Sequence, residues 1–426
     1  MMVSAPKIPS KCTLDAAVVP PIKPPMSPGL IVLMLATLMG IQPVTTDLYL
    51  PALPALREGF AATMPQAQLT LSALLLAFGA SQLIWGPLSD RFGRRPILLW
   101  ALMAYTLAAI ANTLVSTMSE LIAWRMVQGA AMGGVVMCAR AIVRDLYLPA
   151  DGARVMSKGL SGLGVLACLC PPLGGLLSEL FGWRAALMAL TLFGVYALLL
   201  VVLRFQETLK RPNPMALHPA TWVRTWRSIL GNPTFLAFSA LSVATYGGLI
   251  TFLAASSFVF ITVFGFSKTQ YGWVLFFAAL CYIAGTFVCR RLLRQFGVRQ
   301  SVAIAAVVSL AGGTLMAVLA WFGIDSAWAI LLPHALFMLG HGVHQPCGQS
   351  GAVGPFPQAA GAASALNGFL MMVVAFAMGG WLGTRMDGSV LPLTNGVWFW
   401  SIVIALTAWT LVRKYGEPVS AAIVKT

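Results

Sequence analysis

The chain is built from apolar runs of about 20 residues, separated by short polar connectors. A helix of that length spans about 30 Å, the thickness of a bilayer's hydrocarbon core. Hydrocarbon offers backbone N–H and C=O groups no water, so only helices and closed barrels cross it. The strict two-residue alternation of barrel strands is absent. Of the 426 residues, 59% are hydrophobic and only 9% charged, where a soluble domain carries about a quarter charged. The expected fold is therefore all-α and polytopic, with transmembrane helices at 29–50, 67–87, 96–116, 119–144, 157–179, 184–204, 233–263, 269–289, 299–322, 326–350, 360–384 and 391–412.

Connectors give the organisation. Residues 205–232 form the only long polar connector between apolar runs, so they separate two six-helix halves, 29–204 and 233–412. The proline-rich residues 1–28 have no apolar core of the kind a secretory signal needs and read as a disordered cytoplasmic tail; residues 413–426 read as a second cytoplasmic tail. With the N-terminus inside, 21 of the 27 Lys and Arg fall on the inner side and four on the outer, while Arg125 and Arg140 lie within spans. Such asymmetry expects both termini in the cytoplasm. The halves also echo each other: Phe92-Gly93-Arg94-Arg95 and Phe296-Gly297-Val298-Arg299 are 204 positions apart. Paired bundles around a central cleft are a transporter plan with binding near the midplane.

The same placement explains the net charge of +15, because the cations sit in membrane connectors and not on a nucleic-acid-binding face. The seven cysteines make no spaced Cys/His metal set, and no metal is expected. There is no phosphate-binding Gly-x-x-x-x-Gly-Lys-Ser/Thr loop, no His-Glu-x-x-His helix and no Ser/His/Asp grouping. The expectation is a protein that is not an enzyme, uses no cofactor and is not driven by ATP.

Of the twelve acidic residues, only Asp47 falls inside a span. An ionised carboxylate in hydrocarbon costs at least about 2.5 kcal/mol, so such a residue is a functional candidate. Taking up a proton removes that cost, which suits a proton-coupling site. The competing structural reading is a residue at the outer interface, hydrogen-bonded to Thr45 or Thr46. Arg125 lies in the outer half of the fourth helix at a similar depth and is the expected partner; the alternative is an arginine reaching for outer headgroups. In the tenth helix His341 and His344 are three apart and expected to share a face, as a second proton site, a polar substrate contact or satisfied structural residues. His334 is a weaker candidate. Further residues expected to face the cleft are Tyr49, Gln82, Gln128, Tyr246, Asn367 and Met371, a mixed lining suited to several ligands.

The connector Gly86-Pro87-Leu88-Ser89-Asp90-Arg91-Phe92-Gly93-Arg94-Arg95-Pro96 resembles the signature loop of the major facilitator superfamily. Thr46-Asp47-Leu48-Tyr49-Leu50-Pro51, Arg125-Met126-Val127-Gln128-Gly129, Arg140-Ala141-Ile142-Val143-Arg144-Asp145 and Pro355-Phe356-Pro357-Gln358 narrow the resemblance to the Bcr/CflA drug:proton antiporters. The resemblance implies a fold of two pseudo-repeated six-helix bundles and proton-driven efflux of small, largely apolar drugs such as chloramphenicol or bicyclomycin. The setting would be the bacterial inner membrane, with drug, protons and lipid as partners and no nucleic acid, and a monomer is expected. It also implies that Arg125 tunes the carboxylate, and that Asp90, Arg91, Arg94 and Asp145 form a gating relay with Gly86, Gly93 and Arg95 nearby. Arg140 is read as part of the same gate. Cys170-Pro171-Pro172-Leu173-Gly174-Gly175 resembles the antiporter motif Gly-Pro-x-x-Gly-Gly, carried by Pro171, Gly174 and Gly175, with Cys170 as a departure. Transport of an endogenous metabolite on the same fold and a non-transporting receptor or scaffold remain the alternatives.

The charge asymmetry generates a direct test. A fluorescent reporter fused to the C-terminus should fluoresce and an alkaline phosphatase fused there should be inactive; the reverse pattern would overturn the topology.

Overall fold

The structure, a computed structural model, describes residues 26–147, 149–209 and 218–416. Most of the two expected tails therefore lies outside the described residues. The first half comprises α1 (Pro28–Thr46, continuing through a tight turn at Leu50–Ala52 into Leu53–Gly59), α2 (Met64–Phe92) and α3 (Arg94–Leu114). It is completed by α4 (Met118–Leu146), α5 (Pro149–Leu180) and α6 (Trp183–Arg204). The second half begins with α7 (Pro233–Phe258, extended by a wider turn at Val259–Val263). The helical segment Lys268–Trp321 is broken by non-helical Gly297 into α8 (268–296) and α9 (298–321). Then come α10 (Ala327–Val353), α11 (Ala360–Arg385) and α12 (Leu391–Thr407), which runs on to Tyr415. All twelve expected helices are present among the described residues, and none of those residues forms a strand.

Local chemistry fixes where the helices begin and turn. Thr63/Gln66, Thr117/Glu120 and Ser267/Gln270 form capping boxes that satisfy the first N–H groups of α2, α4 and α8. At the other ends of α2 and α8 the sequence echo becomes a backbone echo: Gly93 has φ 100° and Gly297 has φ 71°. A side chain at either would be strained in that region, so glycine permits the reversal into the next helix. Several boundaries differ from expectation. Helix α5 starts eight residues earlier than 157, and α8 runs past 289. Hydropathy marks only the lipid-embedded part, and charged turns such as Asp151–Arg154 extend a helix into the polar zone. The connector also holds an unanticipated short helix, Pro219–Leu230, on which Trp222 and Trp226 stack at 6.0 Å.

The halves meet along two seams, α2 on α11 and α5 on α8. In lipid, helices associate through close packing and not through hydrophobic gain, so small residues mark the seams. On the face opposite the linker, α5 is pinned between both halves. A Cβ on Gly174 would meet the Leu48 carbonyl of α1, and one on Gly175 the Lys268 carbonyl of α8. A Cβ on Gly272 of α8 would meet the Pro171 carbonyl in turn. Hydrogen bonds close the same face: Gln68 Nε2 to Ala254 O (2.9 Å), Lys268 Nζ to Ser178 O (3.1 Å) and Thr269 N to the Glu179 carboxylate (3.0 Å).

Gly164, also on α5, has open space where a Cβ would go. Gly175→Val should therefore destabilise the protein by about 1–3 kcal/mol through overpacking, read as a lower melting temperature in detergent, while Gly164→Val should leave it nearly unchanged. Equal effects would refute the tight seam.

Candidate functional site

Between the halves lies a cavity of about 460 Å³, lined by α1, α2 and α5 from one bundle and α7, α8 and α10 from the other. Towards the closed face its wall holds Asp47, Leu50 and Leu253; towards the linker face it reaches Leu160 and Gln349, both exposed. A smaller space of about 130 Å³ adjoins it through the shared residues Gln42, Tyr246, Gln345 and Gln349, and adds Gln82, Arg140, Asn367 and Met371. Of the sequence candidates, Tyr246 and His341 thus line the main cavity, and Gln82, Asn367 and Met371 the smaller one.

Asp47 sits where regular α-helix gives way to the tight turn. Pro51 lacks the N–H that would bond the Asp47 carbonyl, which is a local reason for the break. The Asp47 carboxylate accepts a hydrogen bond from Thr46 Oγ1 (2.7 Å) and is the only acidic side chain among the described residues of the cavity wall. The bond to Thr46 expected of an interfacial residue is present, but the carboxylate faces the chamber between the halves.

Arg125 is at the expected depth on the wrong face for a partner. Its side chain is fully buried and donates to Gln128 Oε1 (3.0 Å) and to Thr45 O (3.2 Å), with the guanidinium 4.2 Å from the Tyr49 ring centre. Helix α1 ends at Thr46, leaving carbonyls of its last turn without helical donors. A cation there also meets the negative end of the helix dipole. Thr45 and Tyr49 are four apart and turn into the first bundle, where Thr45 Oγ1 pairs with the Tyr105 hydroxyl of α3 (2.7 Å), whereas Asp47 is about 200° from Thr45 around the helix. Among the described residues the ion pairs are Arg94–Asp90, Arg94–Asp145 and Arg154–Asp151, so Arg125 and Asp47 do not form the expected pair. Tyr49 and Gln128 belong to this buried cluster: the Tyr49 hydroxyl donates to Thr70 (2.8 Å), and Gln128 accepts from Asn112 (3.1 Å). Neither lines the cavity, a correction to the sequence reading.

The histidine pair is also divided. His341 Nδ1 pairs with Thr245 Oγ1 of α7 (2.8 Å), while His344 Nε2 pairs with Val302 O of α9 (3.3 Å). Three residues turn a helix by about 300°, enough to send the two rings to different neighbours in a tightly packed bundle. His334, seven before His341, instead shares its face and enters the cavity wall.

At the linker face the expected relay is internal to the first bundle and its connector. Arg94 bonds Asp145 (2.8 Å), Asp90 (2.6 Å) and Ser89 Oγ (2.7 Å). Arg91 instead lies over its neighbour Phe92. A Cβ on Gly86 would meet only the flexible end of Met137, at 3.5 Å. Arg95 donates to Val202 O (3.3 Å). Sequence reasoning missed Glu207 and Thr208. The Glu207 carboxylate accepts from the backbone N–H groups of Arg94 and Arg95 (3.0 Å each), capping α3, and Thr208 Oγ1 donates to Asp145 (3.2 Å). Their signal is three-dimensional, because 113 residues separate Glu207 from Arg94. Arg140 reaches across the halves, donating to Ser364 Oγ of α11 (3.4 Å).

Comparison with known proteins gives the same architecture. The Major Facilitator Superfamily profile matches residues 33–380. The chain is 28% identical to Multidrug resistance protein D of Escherichia coli over 91% of this chain and 98% of that protein. It is 26% identical to the Bicyclomycin resistance protein homolog of Haemophilus influenzae, covering 85% and 91% of the two chains. It is 28% identical to the Chloramphenicol resistance protein of Pseudomonas aeruginosa, covering 89% and 88%. Among solved structures, the partially occluded inward open conformation of the xylose transporter XylE from E. coli superimposes with a TM-score of 0.72 at 12% identity, covering 92% and 98%.

The Arg94–Asp145 contact is shielded, with Arg94 at 5% and Asp145 at 16% side-chain exposure. Removing one partner of a buried pair costs about 3 kcal/mol or more. Asp145→Asn should therefore lower the melting temperature by several degrees, while Asp90→Asn, at 47% exposure, should change it far less.

Proposed function

The chain belongs to the Major Facilitator Superfamily and is a multi-pass membrane transporter, not an enzyme, and we propose that it expels small, largely apolar drugs in exchange for protons. One observation carries this reading: among the described residues, the only acidic side chain in the wall of the chamber between the bundles is Asp47, at the bend of α1. Its relatives' names, multidrug, bicyclomycin and chloramphenicol resistance, support the substrate class. Their 26–28% identity over most of the chain accords with the Bcr/CflA resemblance of the motifs.

The proposed cycle uses the cost of a carboxylate in a closing cavity. With the chamber open to the outside, Asp47 takes a proton at a carboxylate oxygen, and the neutral side chain lets the empty chamber close. On the inner side the proton leaves and an amphiphilic compound takes its place. A ligand shifts the two conformations only by its differential affinity for them, so proton and drug must each favour opposite transitions. Arg125 is a positioning residue: it holds the end of α1 through the Thr45 carbonyl and so sets where Asp47 stands. The Asp90–Arg94–Asp145 relay, tied to the connector through Thr208, moves α2, α3 and α4 as one body. Gly174 and Gly175 seal the opposite face. In this reading the linker face is cytoplasmic, the membrane is the bacterial inner membrane, the unit is a monomer and the proton gradient is the sole energy source.

In proteoliposomes with an imposed pH gradient, the wild type should accumulate chloramphenicol or a related compound and Asp47→Asn should lose that accumulation. Undiminished accumulation against the gradient by the variant would refute the proton assignment. A drug-sensitive strain that gains no resistance to any compound of a broad panel, with the protein verified in its membrane, would refute export.

A further inference from the structure

The cavity wall supplied by α10 has a feature that proton coupling at Asp47 does not use. His334, Met338, His341, Gln345 and Gln349 recur at helical spacing and all line the chamber. Their polar groups are under-used by the protein. His334 is 1% exposed, yet neither Nδ1 nor Nε2 has a hydrogen-bond partner. Gln345 Oε1 is likewise buried and unpartnered, and its Nε2 reaches only the Met371 sulfur at 4.0 Å. On the neighbouring α7 the Tyr246 hydroxyl has only the Met372 sulfur, at 3.9 Å. Buried polar groups in folded proteins are overwhelmingly paired, so this concentration of unmet capacity on one helix face requires an explanation.

Aromatic stacking holds the His334 ring in place. It lies on Phe252 with centroids 3.5 Å apart and planes 9° from parallel, and Phe337 and His341 continue the stack along α10. A ring clamped between aromatic faces has its nitrogens at the edge. A neutral imidazole presents one donor and one acceptor there. His341 spends Nδ1 on Thr245 and keeps Nε2 without a protein partner.

We propose that the α10 stripe, with His334 as its principal contact, is the substrate-binding wall, and that it selects small aromatic amphiphiles carrying hydroxyl or amide groups. The flat part of such a molecule packs against the half-buried Leu249 and Leu253, and its hydroxyl or amide meets the imidazole edge and Gln345. A purely apolar cation gains nothing from these groups. This inference rests on the chamber being the substrate chamber of the reading above. It adds that recognition resides on the second bundle, while proton exchange at Asp47 resides on the first.

Purified protein in lipid nanodiscs and direct binding of two probes test it: chloramphenicol, which carries an aromatic ring, hydroxyls and an amide, and tetraphenylphosphonium, which has no hydrogen-bonding group. His334→Phe keeps the stack on Phe252 and removes both nitrogens. It should weaken chloramphenicol binding about tenfold or more and leave tetraphenylphosphonium within about twofold, and His334→Gln should recover part of the loss. Unchanged chloramphenicol binding by His334→Phe would overturn the proposal. Equal weakening of both probes would also overturn it, since that is the signature of a packing role. Asp47→Asn separates the two readings: the expected result is chloramphenicol binding retained with gradient-driven accumulation lost. A wild type that binds chloramphenicol through His334 but never exports it would leave this site standing and remove the efflux reading.

Discussion

Much of the architecture depends on backbone meeting backbone at the antiporter-like motif of α5. Gly174 lies against the Leu48 carbonyl and Gly175 against the Lys268 carbonyl, so one helix touches both halves without side chains between. In lipid no hydrophobic gain holds helices together, and close approach is what remains. The seam closes one face, and lower down the same helix stays packed on α1 through Gly159 and Gly162 while Leu163 and Ala167 line the chamber between the halves. A tight contact at one end and a space at the other is the geometry an alternating-access protein requires.

Within that frame, α1 separates two charges by handing them to opposite faces. Arg125 is buried without a carboxylate, an arrangement that would be costly if nothing met its donors. The last turn of α1, Gln128 and the Tyr49 ring meet its two terminal nitrogens, while Nε has no partner. Held in this way, the cation forms no ion pair with Asp47, and the carboxylate remains in the chamber wall. The linker face uses a different device. There Arg94 gathers Asp90, Asp145 and Ser89 while Glu207 caps α3, so the charges brace one bundle internally. The two clusters thus fix helices of the first bundle at both ends, and the carboxylate between them is the group left open.

Much of this was legible in the residues. Apolar runs located twelve helices because hydrocarbon leaves the backbone no alternative to helix, and Gly93 and Gly297 marked equivalent turns because a left-handed backbone favours glycine. Asp47 stood out for the same reason, since a lone carboxylate in a span is costly. Other features were hidden. The connector helix is short and amphipathic, so it lacks the long apolar run that marks a span, and the cap that Glu207 makes depends on a residue more than a hundred positions from the helix it serves.

The sequence by itself determined the solvent, the number of spans, their pairing into halves and the identity of the buried charges, because these follow from hydropathy, charge placement and local backbone preference. The tertiary structure decided which way each polar side chain points. It put Arg125 and Asp47 back to back, sent His344 to α9, and brought His334 into the chamber beside Phe252. Helical spacing fixes the angle between two residues on one helix but not the identity of the neighbour each one meets, and that is set by packing across helices far apart in the chain.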